Sequence, residues 1–169
     1  MMFKKIFIIS FLSTMLLAFK FDYKSFETDF IQYINDGQNM IDYQGKIYYQ
    51  DNKSLWIYTK PDEKKVYINN NEIVIIDDEL EQVIQSDENL DLKEILKHVK
   101  EVSPSVYEAN YENIHYIIKT NDYFLDTIEY KDELDNKVKI VFSNSKVNNK
   151  INNNLFKYDI PKNYDIIKR

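Results

Sequence analysis

Apolar and polar positions alternate along most of this chain, and the period changes in a few places. Residues 22–36 carry helical spacing: Phe26, Phe30, Tyr33 and Ile34 fall at i, i+4, i+7 and i+8, one face of a helix. Asp22 or Ser25 would cap it, and Asp36-Gly37 would stop it. Short strands are expected next. Ile41, Tyr43, Gly45, Ile47 and Tyr49 alternate on one face of a strand over 41–49. Leu55 to Thr59 gives another, ended by Pro61-Asp62. Val66 to Ile68 and Ile73 to Ile76 flank the triplet Asn69-Asn70-Asn71 as a hairpin, and Leu80 to Ile84 follows as a strand. Over 90–101 the period turns helical again, with Leu92, Ile95, Leu96 and Val99 on one stripe and Ser103-Pro104 closing it. Strands resume over 106–118, 124–130, 138–142 and 155–160, and the turn Asp132 to Asn136 joins two of them. Pro161 opens a tail ending in Asp165-Ile166-Ile167.

Successive strands joined by tight turns predict antiparallel pairing. Two amphipathic helices need a surface on which to bury their stripes. The expected fold is therefore α+β: a strongly curved antiparallel sheet, an incomplete β-barrel, with helices covering its concave face. One domain over 19–169 accommodates it. Tyr49, Trp56, Tyr58, Val74 and Ile76 are spaced by two within neighbouring strands and would share a face. Together with Phe30, Ile34, Ile47, Leu92, Ile95, Leu96 and Phe142 they form the candidate lining of an apolar cavity. A packed core on the same face is the alternative that patterning leaves open.

Composition sharpens this. Aromatics make up 15% of the 169 residues, with 14 Tyr and 10 Phe, which favours strands. Only two glycines occur, so the turns must use other residues that tolerate positive φ, Asn above all. Lys4 and Lys5 precede an apolar run from Ile6 to Leu17, with Ala18 as a small residue for cleavage. That is the layout of a secretory signal peptide over 1–18, and the run is short for a membrane span. An uncleaved anchor or a buried helix is the alternative. Lys4 and Lys5 would leave with that segment and no acid would, so the remainder is more acidic than the net charge of −6 of the whole chain. An acidic chain with no long basic run does not suit nucleic acid. With no Cys, an exported protein has no disulfide and no thiol to accept a lipid, so it is expected to be soluble after cleavage.

Candidate chemistry is sparse. His98 and His115 lie on different elements, without a metal-ligand cluster. Two isolated glycines allow no phosphate loop and no nucleophile elbow. The acidic run Asp132 to Asp135 lacks the spacing of a calcium loop. No metal, cofactor or reaction is expected, so the protein is read as a binding protein rather than an enzyme.

Several segments in order resemble one family. Phe26-Glu27-Thr28-Asp29-Phe30-Ile31-Gln32 is similar to its opening helix with spaced Phe residues and a Gln, and Gly45-Lys46-Ile47-Tyr48-Tyr49 to its Gly-x-apolar strand. Trp56-Ile57-Tyr58-Thr59-Lys60-Pro61 resembles the next strand and its Pro. Asn69-Asn70 stands in the place of an Asp-Gly turn, and Leu80-Glu81-Gln82 resembles a strand carrying Gln. Phe156-Lys157-Tyr158-Asp159-Ile160-Pro161 and Tyr164-Asp165-Ile166-Ile167 resemble the closing pattern. The chain thus resembles the LolA-type periplasmic carriers of outer-membrane lipoproteins. The resemblance implies a periplasmic chaperone that binds the acyl chains of lipoproteins released by an inner-membrane transporter and delivers them to an outer-membrane acceptor. It also implies a monomer without a cofactor. The family's acceptor is lipidated on a Cys, so the missing Cys favours the soluble carrier. One departure stands out. Where the family has an Arg-Pro step tied to its lid, this chain reads Gln50-Asp51-Asn52-Lys53 and is one residue shorter. A periplasmic sensor or adaptor module on the same half-barrel is the rival reading, and a lipid-active enzyme is a third.

Overall fold

Residues 25–35, expected as a helix, form strand β1 (Ser25–Asn35) at the middle of one large sheet. A computed structural model describes residues 21, 23–69, 72–86, 92–122 and 124–168. The segment over 1–18 lies outside them. The reason for strand over helix is visible in the side chains. Phe26, Phe30 and Ile34 are spaced by four, which also places them on one face of a strand, and Thr28 between them is buried as well. The segment is rich in Phe, Thr, Ile and Tyr, residues that suit a pleated surface. Only Tyr33 breaks the pattern, and it turns to the opposite face.

β1 is paired along both edges. On one side it runs antiparallel to β2 (Met40–Gln50), from Ser25 opposite Gln50 to Asn35 opposite Met40. On the other it meets β11 (Lys137–Val147), with a bulge between Glu27 and Asp29. Beyond β2 the chain meanders through β3 (Lys53–Lys60), β4 (Lys64–Asn69), β5 (Glu72–Asp77) and β6 (Gln82–Ser86). Strand β12 (Asp165–Lys168) then adds parallel to β6. Beyond β11 lie β10 (Phe124–Lys131), β9 (Ile114–Asn121), β8 (Val106–Tyr111) and β7 (Lys100–Ser103). The result is a curved sheet of twelve strands that does not close, with β12 and β7 as its edges.

The turns bear out the expectation that Asn would stand in for Gly. Of the ten non-glycine residues with positive φ among the described residues, seven are Asn or Asp. Asp51 and Asn52 make the β2–β3 turn with φ of 51° and 63°, as a two-residue type I′ hairpin requires. The hairpin across the Asn triplet exists, with Asn69 opposite Glu72; Asn70 and Asn71 lie outside the described residues.

Four other expectations are corrected. The strand expected over 106–118 is a hairpin, because Glu112 and Asn113 both take positive φ and reverse the chain. The sixth strand starts at Gln82, not Leu80, since Asp77 Oδ1 accepts the Leu80 N–H at 2.9 Å and holds a turn there. The second helix is only α1 (Leu92–Lys97), and Lys100 to Ser103 pairs with β8 as β7. Residues 155–160 are not a strand. Asn152 caps a 3-10 turn over Asn153–Phe156, and an irregular strap follows to Pro161. Of the two helices expected to cover the sheet, only the short α1 forms among the described residues.

The sheet carries apolar side chains on two faces. One face holds Phe26, Phe30, Ile47, Tyr116, Ile118, Leu125, Ile128, Ile140 and Phe142, with Ile95 and Leu96 of α1 buried against them. On the other, Leu55, Tyr67, Val74, Ile76 and Val83 pack under Ile151 and Phe156 of the strap. Hydrogen bonds tie that strap down. Gln50 Oε1 accepts the Ile151 N–H at 2.9 Å, Tyr158 donates to Glu72 at 3.1 Å, and Tyr164 donates to Asp78 at 3.0 Å. Elsewhere the outer face is charged, with Lys46 on Glu27 at 3.0 Å and Lys119 and Lys139 on Glu129 at 3.3 and 3.4 Å.

Gly45 lets the sheet close up around Phe30. A Cβ there would sit 2.0 Å from the Ile57 carbonyl oxygen and 2.9 Å from Cε1 of Phe30. Gly45→Ala is therefore expected to lower stability by at least about 2 kcal/mol in urea unfolding. Gly37→Ala meets no atom within 4 Å and strains only a φ of 92°, so it should cost about 1 kcal/mol.

Candidate functional site

Strands β1 to β3 place their aromatic side chains on one wall because their registers lock. Phe30 stands opposite Gly45, and Gly45 opposite Tyr58, so the missing side chain at 45 leaves room for two rings to meet. The Phe30 ring lies 5.3 Å from Trp56 and 5.1 Å from Tyr58, both edge to face. Trp56 and Tyr58 stack at 6.5 Å, and Tyr43 meets Tyr58 edge-on at 5.9 Å. These geometries suit aromatic quadrupoles and give a rigid apolar surface.

A second aromatic group closes the far end. Tyr23 stacks on Phe26 at 5.6 Å, and Phe21 meets Tyr23 and Tyr107 edge-on at 6.0 and 5.7 Å. Between the two groups lies a cavity of about 50 Å³ bounded by Phe21, Tyr23, Phe26, Ile47, Tyr49, Ser54, Trp56, Leu92, Leu96 and Leu125. Its walls come from β1, β2, β3, β10 and α1. Strands so far apart in the sheet can line one cavity only if this is the concave face.

The candidate lining residues divide cleanly. Phe30, Ile47, Ile95, Leu96 and Phe142 are buried in the concave cluster, and Ile34, Tyr49, Trp56, Tyr58 and Leu92 pack against it half-buried. Val74 and Ile76 do not join them: they lie on the outer face under the strap. Trp56 pairs with Val66, and Val66 with Ile75, so Val66 and Ile75 occupy the concave face in their place. Every residue from Ile73 to Ile76 is apolar, so alternation gave no signal for choosing between the faces. Leu125 and Phe26, which line the cavity, were also missing from the expected set; Phe26 carried a signal, as a member of the same apolar stripe as Phe30.

A larger open groove of about 1010 Å³ lies elsewhere, but its walls include Glu112, Glu129, Lys131, Glu133, Lys137 and Lys139. It suits solvent rather than an apolar ligand. His98 is exposed after α1, its ring 5.7 Å from Tyr111, and His115 is exposed with Nδ1 3.0 Å from Asn110 Oδ1. Among the described residues no three His, Cys, Asp or Glu side chains come together as a metal set. The concave wall can bury an apolar ligand.

Comparison with known proteins agrees with that geometry. An outer-membrane lipoprotein carrier protein of Campylobacter jejuni is 36% identical over 168 residues, covering 98% of this chain and 99% of its own length. The chain belongs to the LolA family of outer-membrane lipoprotein carriers. The family model described as "Outer membrane lipoprotein carrier protein LolA" matches residues 22–97, which span β1 to α1. A carrier of the same name from Wolinella succinogenes is 30% identical over 86% of this chain and 87% of its own. Among solved structures, an uncharacterized conserved protein of Thermus thermophilus overlays with a TM-score of 0.54 at 13% identity, covering 87% of this chain and 91% of its own. A LolA superfamily protein of Nitrosomonas europaea gives 0.50 at 9% identity, covering 83% and 93%. These two show the fold alone. In this LolA-family chain Lys53, the cation nearest the family's Arg-Pro step, stands at the first position of β3, directly after the type I′ turn and opposite Gln50.

The phenols of the concave wall are held protonated. Burial, with Tyr107 adding to it, pushes Tyr23 up to about 12. Burial, then Tyr116 and Asp132, pushes Tyr130 up to about 12. Burial likewise raises Tyr58, with Tyr130 and Tyr43 adding to it. An unfolded phenol ionises near about 10. Above that pH the unfolded chain binds fewer protons than the folded one, so stability falls as pH rises. The contribution is complete below pH of about 10 and is lost toward about 12. Urea midpoints measured at intervals from pH 8 to pH 12 should stay level to about 10 and then fall.

Proposed function

We infer that this protein is a periplasmic lipoprotein chaperone that shields acyl chains on the concave face of its sheet. The observation that carries the reading is the aromatic wall of Phe30, Trp56 and Tyr58 beside a cavity lined by Trp56 and by Leu92 and Leu96 of α1. Membership of the lipoprotein carrier family supports it.

Burying a methylene is worth about 0.8 kcal/mol, so an acyl chain of about fifteen gains roughly 12 kcal/mol gross. A carrier must shield that surface and still give it up. A concave face already filled by its own side chains meets both needs, because ligand contacts replace internal ones and the net affinity stays moderate. The internal cover is slight. Helix α1 has six residues, too few to hold helical form without packing, and it is fixed by Ile95 and Leu96. We take α1 as the lid and the ten concave-face residues named above as the acyl-contacting wall. Cleavage of the segment over 1–18 would release the protein into the periplasm. An inner-membrane releasing transporter and an outer-membrane acceptor are its proposed partners, it works as a monomer, and no reaction is required of it.

The test is capture. Acylated lipoprotein should co-purify with the protein, and the same lipoprotein without its acyl chains should not. Equal capture of both would favour a protein-binding module instead. Trp56→Ala should weaken capture at least fivefold while the protein still melts cooperatively, because Trp56 is only half-buried. Phe30→Ala removes a ring that is 2% exposed and should cost about 3–5 kcal/mol of stability.

A further inference from the structure

We propose that Lys64 holds the polar head of the bound acyl group, so that the chain runs from Lys64 past Trp56 into the cavity beside Phe26 and Leu92. This rests on the carrier reading and adds to it a binding direction and a residue that sets it.

Lys64 opens β4 and stands directly across from Tyr58 on β3. Its Nζ lies 4.7 Å from the centre of the Tyr43 ring and 4.8 Å from that of Tyr58. Those two rings meet at 90°, so the ammonium rests in a two-walled aromatic notch on the concave side. Cation–π attraction holds the charge there. Among the described residues no protein oxygen accepts from the three N–H donors of the ammonium. Among the described residues no carboxylate lies within ion-pair distance of Lys64 Nζ. Asp77, opposite Lys64 on β5, accepts the Leu80 N–H through Oδ1 at 2.9 Å. A second donor stands close by. Gln32 Oε1 accepts the Tyr58 hydroxyl at 3.3 Å, which leaves the Gln32 NH₂ group to donate.

The other end of the wall has the opposite character. Among the described residues no charged side chain borders the cavity between Phe26, Trp56, Leu92 and Leu125. Trp56 lies between the two ends, since it pairs with Val66, two residues along β4 from Lys64. That is about 7 Å along the strand. The concave face is thus graded, with donors at Lys64 and Gln32, then Tyr58 and Trp56, then an apolar pocket. An acyl ester inserted with its head at Lys64 places its carbonyl oxygens on donors and its methylenes on rings. Inserted the other way, it exchanges the ammonium for the neutral hydroxyls of Tyr23, Tyr49 and Ser54, which are weaker donors to a carbonyl. The ligand class is the acyl ester head of a lipoprotein, a diacylglyceryl group on a cysteine.

Trp56 is the only tryptophan in the chain and reports on the direction. Protein purified from the periplasm is titrated with a dipalmitoylglyceryl-cysteine peptide brominated near the ester, at mid-chain or at the terminal carbons, and Trp56 quenching is read. Bromines in the ester-side half should quench more than terminal ones. Lys64→Met should raise the Kd about tenfold with the melting temperature unchanged, as loss of a charged hydrogen bond predicts, and Lys64→Arg should restore it. Stronger quenching from terminal bromines, or an unchanged Kd for Lys64→Met, overturns the proposal and leaves the carrier reading standing. A Lys64→Met defect confined to free palmitate, with the ester peptide unaffected, also overturns it by assigning the notch to carboxylates. No quenching by any peptide would remove the carrier reading and this inference together.

Discussion

Backbone pairing along both edges of β1 joins two arms of sheet that no other strand pairing connects among the described residues. Five strands and the parallel β12 extend from one edge, and five from the other. The pairing runs the full length of the strand on the β2 side, from Ser25 to Asn35, and nearly so on the β11 side. Because Phe26, Phe30 and Ile34 project from this strand toward the concave side, the same backbone that joins the arms also supplies the centre of the wall. Gly45 then decides how closely β2 and β3 approach it. The aromatic contacts of Phe30 with Trp56 and Tyr58 follow from that closeness rather than from the rings themselves.

The position of β1 also explains where sequence reasoning failed. Phe26, Phe30 and Ile34 are spaced by four, a spacing that a helix and a strand both satisfy. What separates the two is the pair of partners: β2 follows directly across the turn at 36–39, but β11 lies more than 100 residues away in the chain. No local pattern carries that information. The strap over 151–160 was misread for a related reason. Its apolar residues repeat as in a strand, yet they serve to cover the outer face of β3 to β6 from outside the sheet. That cover makes β5 apolar on both sides, which is why Val74 and Ile76 were assigned to the wrong face. Where one face meets solvent, as in β2, alternation identified the concave residues correctly. The turns were legible for a chemical reason: with two glycines available, Asn and Asp had to take positive φ.

The two apolar faces are held differently, and that difference matters for a carrier. The strap over the outer face is fixed by the hydrogen bonds it donates to the side chains of Gln50, Glu72 and Asp78, and it ends as a strand in the sheet. Burial of Phe156 and Ile151 adds about 1.5–3 kcal/mol each. Removing it would expose unpaired polar groups as well as apolar surface. On the concave side Ile95 and Leu96 of α1 are buried in one cluster with Phe26 and Phe30. Displacing Ile95 and Leu96 exposes apolar area that an acyl chain can cover in turn, and leaves no strand without its partner. The exchange therefore has a natural place to occur.

A wall built from tyrosines rather than only aliphatic residues carries a further consequence. Each buried phenol brings a hydroxyl that must find a partner or stay near the rim, and Tyr58 meets that need through Gln32. The Gln32 amide is thereby placed at one end of the concave face, while the other end, around Phe26, Ile47 and Leu125, holds no charged group among the described residues. The grading is a by-product of satisfying the wall's own hydroxyls. It nevertheless gives an amphiphilic ligand a preferred direction, because only one orientation keeps both its carbonyls and its methylenes in matching surroundings.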